Sequence, residues 1–267
     1  MAQISSLPVK TIATIGLIAK GLVYCLIGIL VFMSAFEIGQ QSGDDVDKEK
    51  AFNIIEQWPA GSWWLAVVVL GLFCYVLWRL MQAFLPSSNE ESGFKNIFKR
   101  IRYFFSAIVY SSLAFLAGKK VFNSSEEKSG SSQTTMNDVM NMKNGDWIMG
   151  IAALVLAIVG VYQIYYSFSE AYKKHVSLNS VNTDMRNVLL KSGKIGYVAR
   201  GIVWLILAWL FGKAWWHSNA SEAGDTAKAF QFLESASYGS YLLGALGLGL
   251  LCYGIFNFIR ARYETFE

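Results

Sequence analysis

Apolar positions in this chain gather into long unbroken runs divided by polar stretches. Six runs, near 12–36, 62–85, 102–122, 146–169, 195–217 and 239–260, are long enough as helices to cross a hydrocarbon core of about 30 Å. They do not alternate in hydrophobicity, as the strands of a membrane barrel must. The pattern predicts an all-α integral membrane protein with six transmembrane helices. The first run is too long for the apolar region of a signal peptide, and no small-residue cleavage site follows it, so it reads as a retained helix.

The polar stretches differ in kind. Residues 38–60 are acidic, and within them Ala51, Phe52, Ile55 and Trp58 recur at helical spacing. They predict a short amphipathic helix on the membrane face, ended by Pro59. Residues 123–135 are a Ser- and Thr-rich linker, and Met136, Val139 and Met140 then form a second short apolar face. Residues 87–101 and 170–194 are basic, with Lys95, Lys99 and Arg100 in the first and Lys173, Lys174 and Arg186 in the second. Both lie on the side of the N-terminus, while the acids gather on the other. Basic loops mark the cytoplasmic face, so both termini are expected in the cytoplasm.

The runs also repeat. Ile15-Gly-Leu-Ile-Ala-Lys-Gly-Leu-Val-Tyr24 returns as Ile195-Gly-Tyr-Val-Ala-Arg-Gly-Ile-Val-Trp204, with five of ten positions identical. Downstream, Lys50-Ala-Phe52 matches Lys228-Ala-Phe230, Gly61-Ser62 matches Gly239-Ser240, and Cys74-Tyr75 matches Cys252-Tyr253. Between these copies lies a diverged unit in which Ser106 takes the place of Lys20 and Tyr110 that of Tyr24. The chain therefore divides into hairpin repeats at 11–86, 97–172 and 193–262. Each crosses twice, so every copy begins on the same side. The repeats are parallel, and a pseudo-threefold arrangement about the membrane normal is the simplest packing.

Composition agrees with this reading. Apolar residues make up 54% of the chain and charged ones 16%, against about 25% charged in a soluble domain. The net charge of +4 conceals a basic side and an acidic side and gives no reason to expect nucleic acid; the basic loops are suited to anionic lipid. Cys25, Cys74 and Cys252 all lie in apolar runs and read as small buried hydrophobes.

Gly-x-x-Ala-[Lys/Arg]-Gly-x-x-[Tyr/Trp] opens the leading helix of repeats one and three. An amphipathic segment follows, then Gly-Ser, then a glycine-rich helix ending in Tyr-x-x-[Trp/Phe]. Three such hairpins resemble the bacterial membrane proteins called domain of unknown function 1206, over nearly the whole chain. The resemblance implies a multi-pass protein of the bacterial plasma membrane and implies no activity. The second repeat lacks the basic residue and the leading glycines.

Lys20 and Arg200 are the most pointed chemical features. They read either as helix-end cations reaching lipid phosphate or as a pair facing the axis between hairpins, where they could hold an anion or a lipid headgroup. Gly16, Gly21, Gly28, Gly196, Gly201 and Gly244 read as helix-packing positions. Met136, Met140 and Met142 are soft thioethers of the kind that bind copper(I), but only the first two share a helical face, and no metal site is expected. His175 and His217 fall on opposite sides. Asp and Glu are absent from the central part of every run, where an ion-coupled or proton-coupled carrier would place one. No cofactor and no catalytic residue are expected. The leading expectation is a non-enzymatic scaffold or accessory subunit, with membrane lipids and a membrane-protein partner or second copy as its contacts. The alternative is a small-solute or anion transporter, channel or lipid-binding protein using the axis between hairpins.

Overall fold

The computed structural model describes residues 7–36, 61–84, 132–142, 145–176 and 182–264, with separate positions between 100 and 118. The described residues are helical almost throughout. In chain order they form α1 (Leu7–Ala35), α2 (Gly61–Phe84), α3 (Ser132–Met140), α4 (Gly145–Phe168), α5 (Thr183–Trp216), α6 (Thr226–Glu234) and α7 (Gly239–Tyr263). Five of these, α1, α2, α4, α5 and α7, are long and apolar enough to cross a membrane, which makes this a multi-pass membrane protein. Of the apolar run at 102–122, the described positions, Tyr103, Ala107 and Tyr110 among them, are helical. The expected amphipathic helix at 51–58 lies outside the described residues.

Two helices begin earlier than the hydrophobic pattern suggests. α1 starts at Leu7, with Pro8 in its first turn, where a missing N–H costs nothing. α5 starts at Thr183, inside the basic stretch. At 1.5 Å per residue its 34 residues reach about 51 Å, well beyond a hydrocarbon core. Its first turns, Thr183 to Val188, are exposed and polar in character, so hydropathy misses them. Asp184 in the first turn and Lys213 in the last suit the helix dipole.

The long helices run antiparallel to their neighbours, and glycines set the spacing. A Cβ added at Gly16 would lie 2.6 Å from the Tyr75 Cα, and one at Gly196 would lie 2.6 Å from the Tyr253 Cα. The first pair joins α1 to α2 and the second joins α5 to α7, so the first and third repeats close their hairpins in the same way. Neighbouring hairpins also interlock. Gly21 lies against Gly254 and Gly28 against Gly247 where α1 crosses α7, and Gly160 lies against Gly201 where α4 crosses α5. These two crossings are the most extensive interfaces among the described residues. Where backbones meet this closely, van der Waals contact supplies association that a hydrophobic force cannot supply inside lipid.

Alternation places Leu7, Phe84, Phe168, Thr183 and Tyr263 at one end of the bundle, here called the terminal end. The opposite end carries exposed Trp63, Trp147, Trp216 and Tyr241, an aromatic girdle of the kind found where lipid meets water. There α6 folds back against the bundle. Asp225 caps it by accepting from the Ala227 and Lys228 amides, and its own Ala229 and Phe230 are buried. At the terminal end a turn at Ala171–His175 docks on α5 as the Tyr172 hydroxyl donates to the Leu190 carbonyl (2.9 Å). Val176 then pairs with Glu264 in a single antiparallel bridge.

Candidate functional site

Lys20 and Arg200, 180 residues apart in the chain, come to the same place. They line one cavity of about 290 Å³ that runs from the terminal end toward the middle of the bundle. Each lies 15 or 16 residues before its helix ends, or about 24 Å of helix from the far end of the bundle.

Neither cation reaches out to lipid. Lys20 is 3% exposed, and its ammonium donates to the Tyr75 hydroxyl at 3.0 Å. It lies 4.8, 5.0 and 5.1 Å from the ring centres of Tyr75, Tyr110 and Tyr253. Arg200 donates to the Tyr253 hydroxyl, with its guanidinium 4.5 Å from the Tyr253 ring and 5.2 Å from that of Tyr24. The pairs Lys20–Tyr75 and Arg200–Tyr253 are the same contact made by two repeats. The close approach at Gly16 and at Gly196 brings each tyrosine backbone within reach of its cation. The cations and the matching Cys-Tyr pairs are both legible in the sequence, but their contact is not, because 55 and 53 residues separate the cations from their tyrosines.

Two further arginines complete the site. Arg79 donates to the Tyr75 hydroxyl (2.8 Å) and to Gln82 Oε1 (2.7 Å), and its guanidinium lies 4.5 Å from the Trp78 ring centre. Arg260 donates two hydrogen bonds to the Glu264 carboxylate and is nearly buried. The basic residues at these helix ends read as topology signals in the sequence. A sharper signal lies in the repeat itself. At the same register after the tyrosine, α2 carries Arg79 and Gln82 while α7 carries Asn257 and Arg260, one arginine and one amide on each helix in opposite order.

The electrostatics are lopsided. Lys20, Arg79, Arg200 and Arg260 line the cavity, and Glu264 is the one carboxylate lining it among the described residues. Cation–π contact offsets about 0.5–2 kcal/mol per pair, less than the several kcal/mol that desolvating a charge costs. Gln163 adds an orphan: its side chain is 7% exposed and lines the cavity, and its Oε1 has no hydrogen-bond partner among the described residues. Buried acceptors are rarely left so.

The diverged repeat forms the remaining wall. Ser106 lines the cavity from the position that matches Lys20. On α4, Gly160 meets Gly201 as Gly254 meets Gly21, so Val159 stands where the other repeats carry a tyrosine. Serine and valine are smaller than the Lys–Tyr and Arg–Tyr pairs, and Val159 lines the space this leaves.

The remaining candidates lie elsewhere. Met136 and Met140 pack beside buried Met149 at the far end, and Met142 is exposed beyond them. The His217 Nδ1 lies 2.8 Å from Glu222 Oε1 at that same end, and the His175 side chain is outside the described residues. Among the described residues no cluster of three His, Cys, Asp or Glu could hold a metal. Gly244 lies against the Phe36 ring, where an added Cβ would come within 2.8 Å.

A family model described as Domain of Unknown Function (DUF1206) matches this chain three times, at residues 15–85, 101–170 and 195–264. The chain is also similar to a protein of Bacillus subtilis (strain 168) described as uncharacterized protein YxxB. The two are 26% identical over 256 residues, which cover 96% of this chain and 91% of that one. No solved structure matches.

Proposed function

The chain belongs to the family described as Domain of Unknown Function (DUF1206), and on that footing we propose that it binds an anion inside the membrane without carrying out a reaction on it. One observation carries the reading: four cations line a single tyrosine-walled cavity that holds one carboxylate among the described residues. An anion entering from the terminal end would neutralise buried charge and find donors in Lys20, Arg79 and Arg200. Charge-assisted bonds of this kind are the strong ones, and low surrounding polarity strengthens them further.

The full arrangement we propose around the site is six helices in three parallel hairpins about a pseudo-threefold axis along the membrane normal. The matching glycine crossings of α1 with α7 and of α4 with α5 support it, and so do the helical positions near Tyr103 and Tyr110. The membrane is taken to be the bacterial plasma membrane, with both termini cytoplasmic. The cavity then opens to the cytoplasm, where free phosphate and the headgroups of anionic lipids are at hand. Its partners in this reading are membrane lipids, a second copy or another membrane protein, and not nucleic acid. An accessory-subunit role has less support, because the apolar face of α6 is turned inward onto the bundle.

Inorganic phosphate titrated into the protein in phosphatidylcholine nanodiscs tests the proposal. Binding is expected, and the Lys20→Met/Arg200→Gln double variant should bind at least ~10-fold more weakly, since each lost bond to a charge is worth about 1.5–3 kcal/mol. Equal binding by both proteins would sink the anion site. A wild-type protein that holds no anion but leaves its own membrane in a stoichiometric complex would restore the accessory-subunit reading.

A further inference from the structure

We infer that the anion carries an apolar chain, so that the ligand is a single-chain amphiphile of the alkyl phosphate type; this rests on the anion-site reading above. A second cavity, of about 250 Å³, lies toward the far end of the bundle. Arg200 and Trp204 line both cavities, so the two adjoin at these side chains. Beyond Arg200 the second cavity is walled by Ile27, Val203, Leu207, Phe211 and Leu250 and closed toward α6 by Phe230. From Arg200 to Phe211 it follows α5 for about 16 Å.

Its chemistry selects what can enter it. Apart from Arg200, the charged residue on its wall among the described residues is Asp225, whose carboxylate already accepts from two amides at the start of α6. A bare anion moving past Arg200 would meet hydrocarbon and then a carboxylate, and would gain nothing. An alkyl chain would lose water-exposed apolar surface there, a gain of about four-fold in affinity per methylene. The head would also satisfy Gln163, whose Oε1 accepts a hydrogen bond from none of the described residues. A singly protonated alkyl phosphate offers one O–H to Gln163 and negative oxygens to Lys20, Arg79 and Arg200. The junction at Trp204 then marks where head gives way to chain.

The test compares inorganic phosphate with butyl, octyl and dodecyl phosphate, titrated into wild type and Leu207→Trp in nanodiscs of one lipid composition. The indole would fill the second cavity and leave the cationic one intact. Both proteins sit in the same membrane, so partition of the probe into lipid cancels in their ratio. We expect inorganic phosphate to bind both within about two-fold, and the wild-type advantage to grow along the series to at least ~10-fold at octyl phosphate. Leu156 lines the same cavity from α4, so Leu156→Trp blocks it from the facing helix and should reproduce the trend, which guards against one misfolded variant. Alkyl phosphates bound with no growth of that advantage would overturn the amphiphile inference and leave the anion site standing. Failure of wild type to bind any of the four probes would remove both.

Discussion

A lysine in a hydrocarbon slab is costly unless something surrounds it, and here the surroundings are phenol rings. Lys20 was visible in the sequence because it interrupts an apolar run. Its partners were not visible, because Tyr75 lies 55 residues away and Tyr110 and Tyr253 belong to other repeats. The glycines behave in the same way. Their number on the helices suggested close packing, but which backbone each one meets depends on how the hairpins pair. Gly28 faces backbone of α7, where an added Cβ would come within 2.5 Å of the Leu251 N and 2.7 Å of the Gly247 O. Backbone cannot step aside, so Gly28→Ala should cost about 1–3 kcal/mol of stability. Gly212, with no atom of the described residues within 4 Å of an added Cβ, is the control. Gly212→Ala should be neutral or gain up to about 1 kcal/mol from helix propensity. Thermal unfolding in micelles, followed by near-ultraviolet circular dichroism, would rank the two, and equal midpoints would refute the interlock.

Among the elements, the turn between α5 and α6 has the clearest acid–base character. The Glu222 carboxylate accepts from His217 and lies 3.5 Å from the Lys213 ammonium. The His217 hydrogen bond, aided by nearby positive charge, holds the Glu222 carboxyl below the usual carboxylate range. A carboxyl lowered on folding stabilises the fold at pH above its unfolded value, and that contribution is lost as pH falls through the lowered folded value. Amide-exchange protection of residues 218–224 should therefore drop below the ordinary carboxylate range. In Glu222→Gln it should already be reduced at neutral pH and change little on acidification. An unchanged acid profile in that variant would exclude Glu222 as the group responsible. The longest element carries a different lesson. The extra turns of α5 are exposed and polar, so a hydropathy reading stops short of them. Asp184 at the helix start was a local signal that could have extended it.

At the scale of the molecule, duplication is the organising fact. The first and third repeats each place a cation against a tyrosine, and the diverged second repeat places serine and valine at the same register. Its divergence leaves a gap and so supplies a cavity wall. In a background with Cys25, Cys74 and Cys252 replaced by alanine, Ser235→Cys lies beyond α6 and Arg262→Cys near the end of α7, both exposed. A membrane-impermeant maleimide applied to intact cells should label the first and not the second, as basic loops on the terminal side require. The reverse pattern would turn the protein over and open the cavity to the outside. Hydropathy alone determined that the chain is helical and repeatedly membrane-crossing, because burying a backbone in lipid leaves almost no other choice. Repetition within the chain located the units, and the two charges inside apolar runs were legible for what they cost. Only the tertiary structure decided that these charges share one cavity with Arg79 and Arg260, that tyrosines enclose them, and that an apolar chamber adjoins them. Those contacts join repeats far apart in the chain, and their geometry comes from helix crossings set by glycine backbones, which local sequence pattern does not encode.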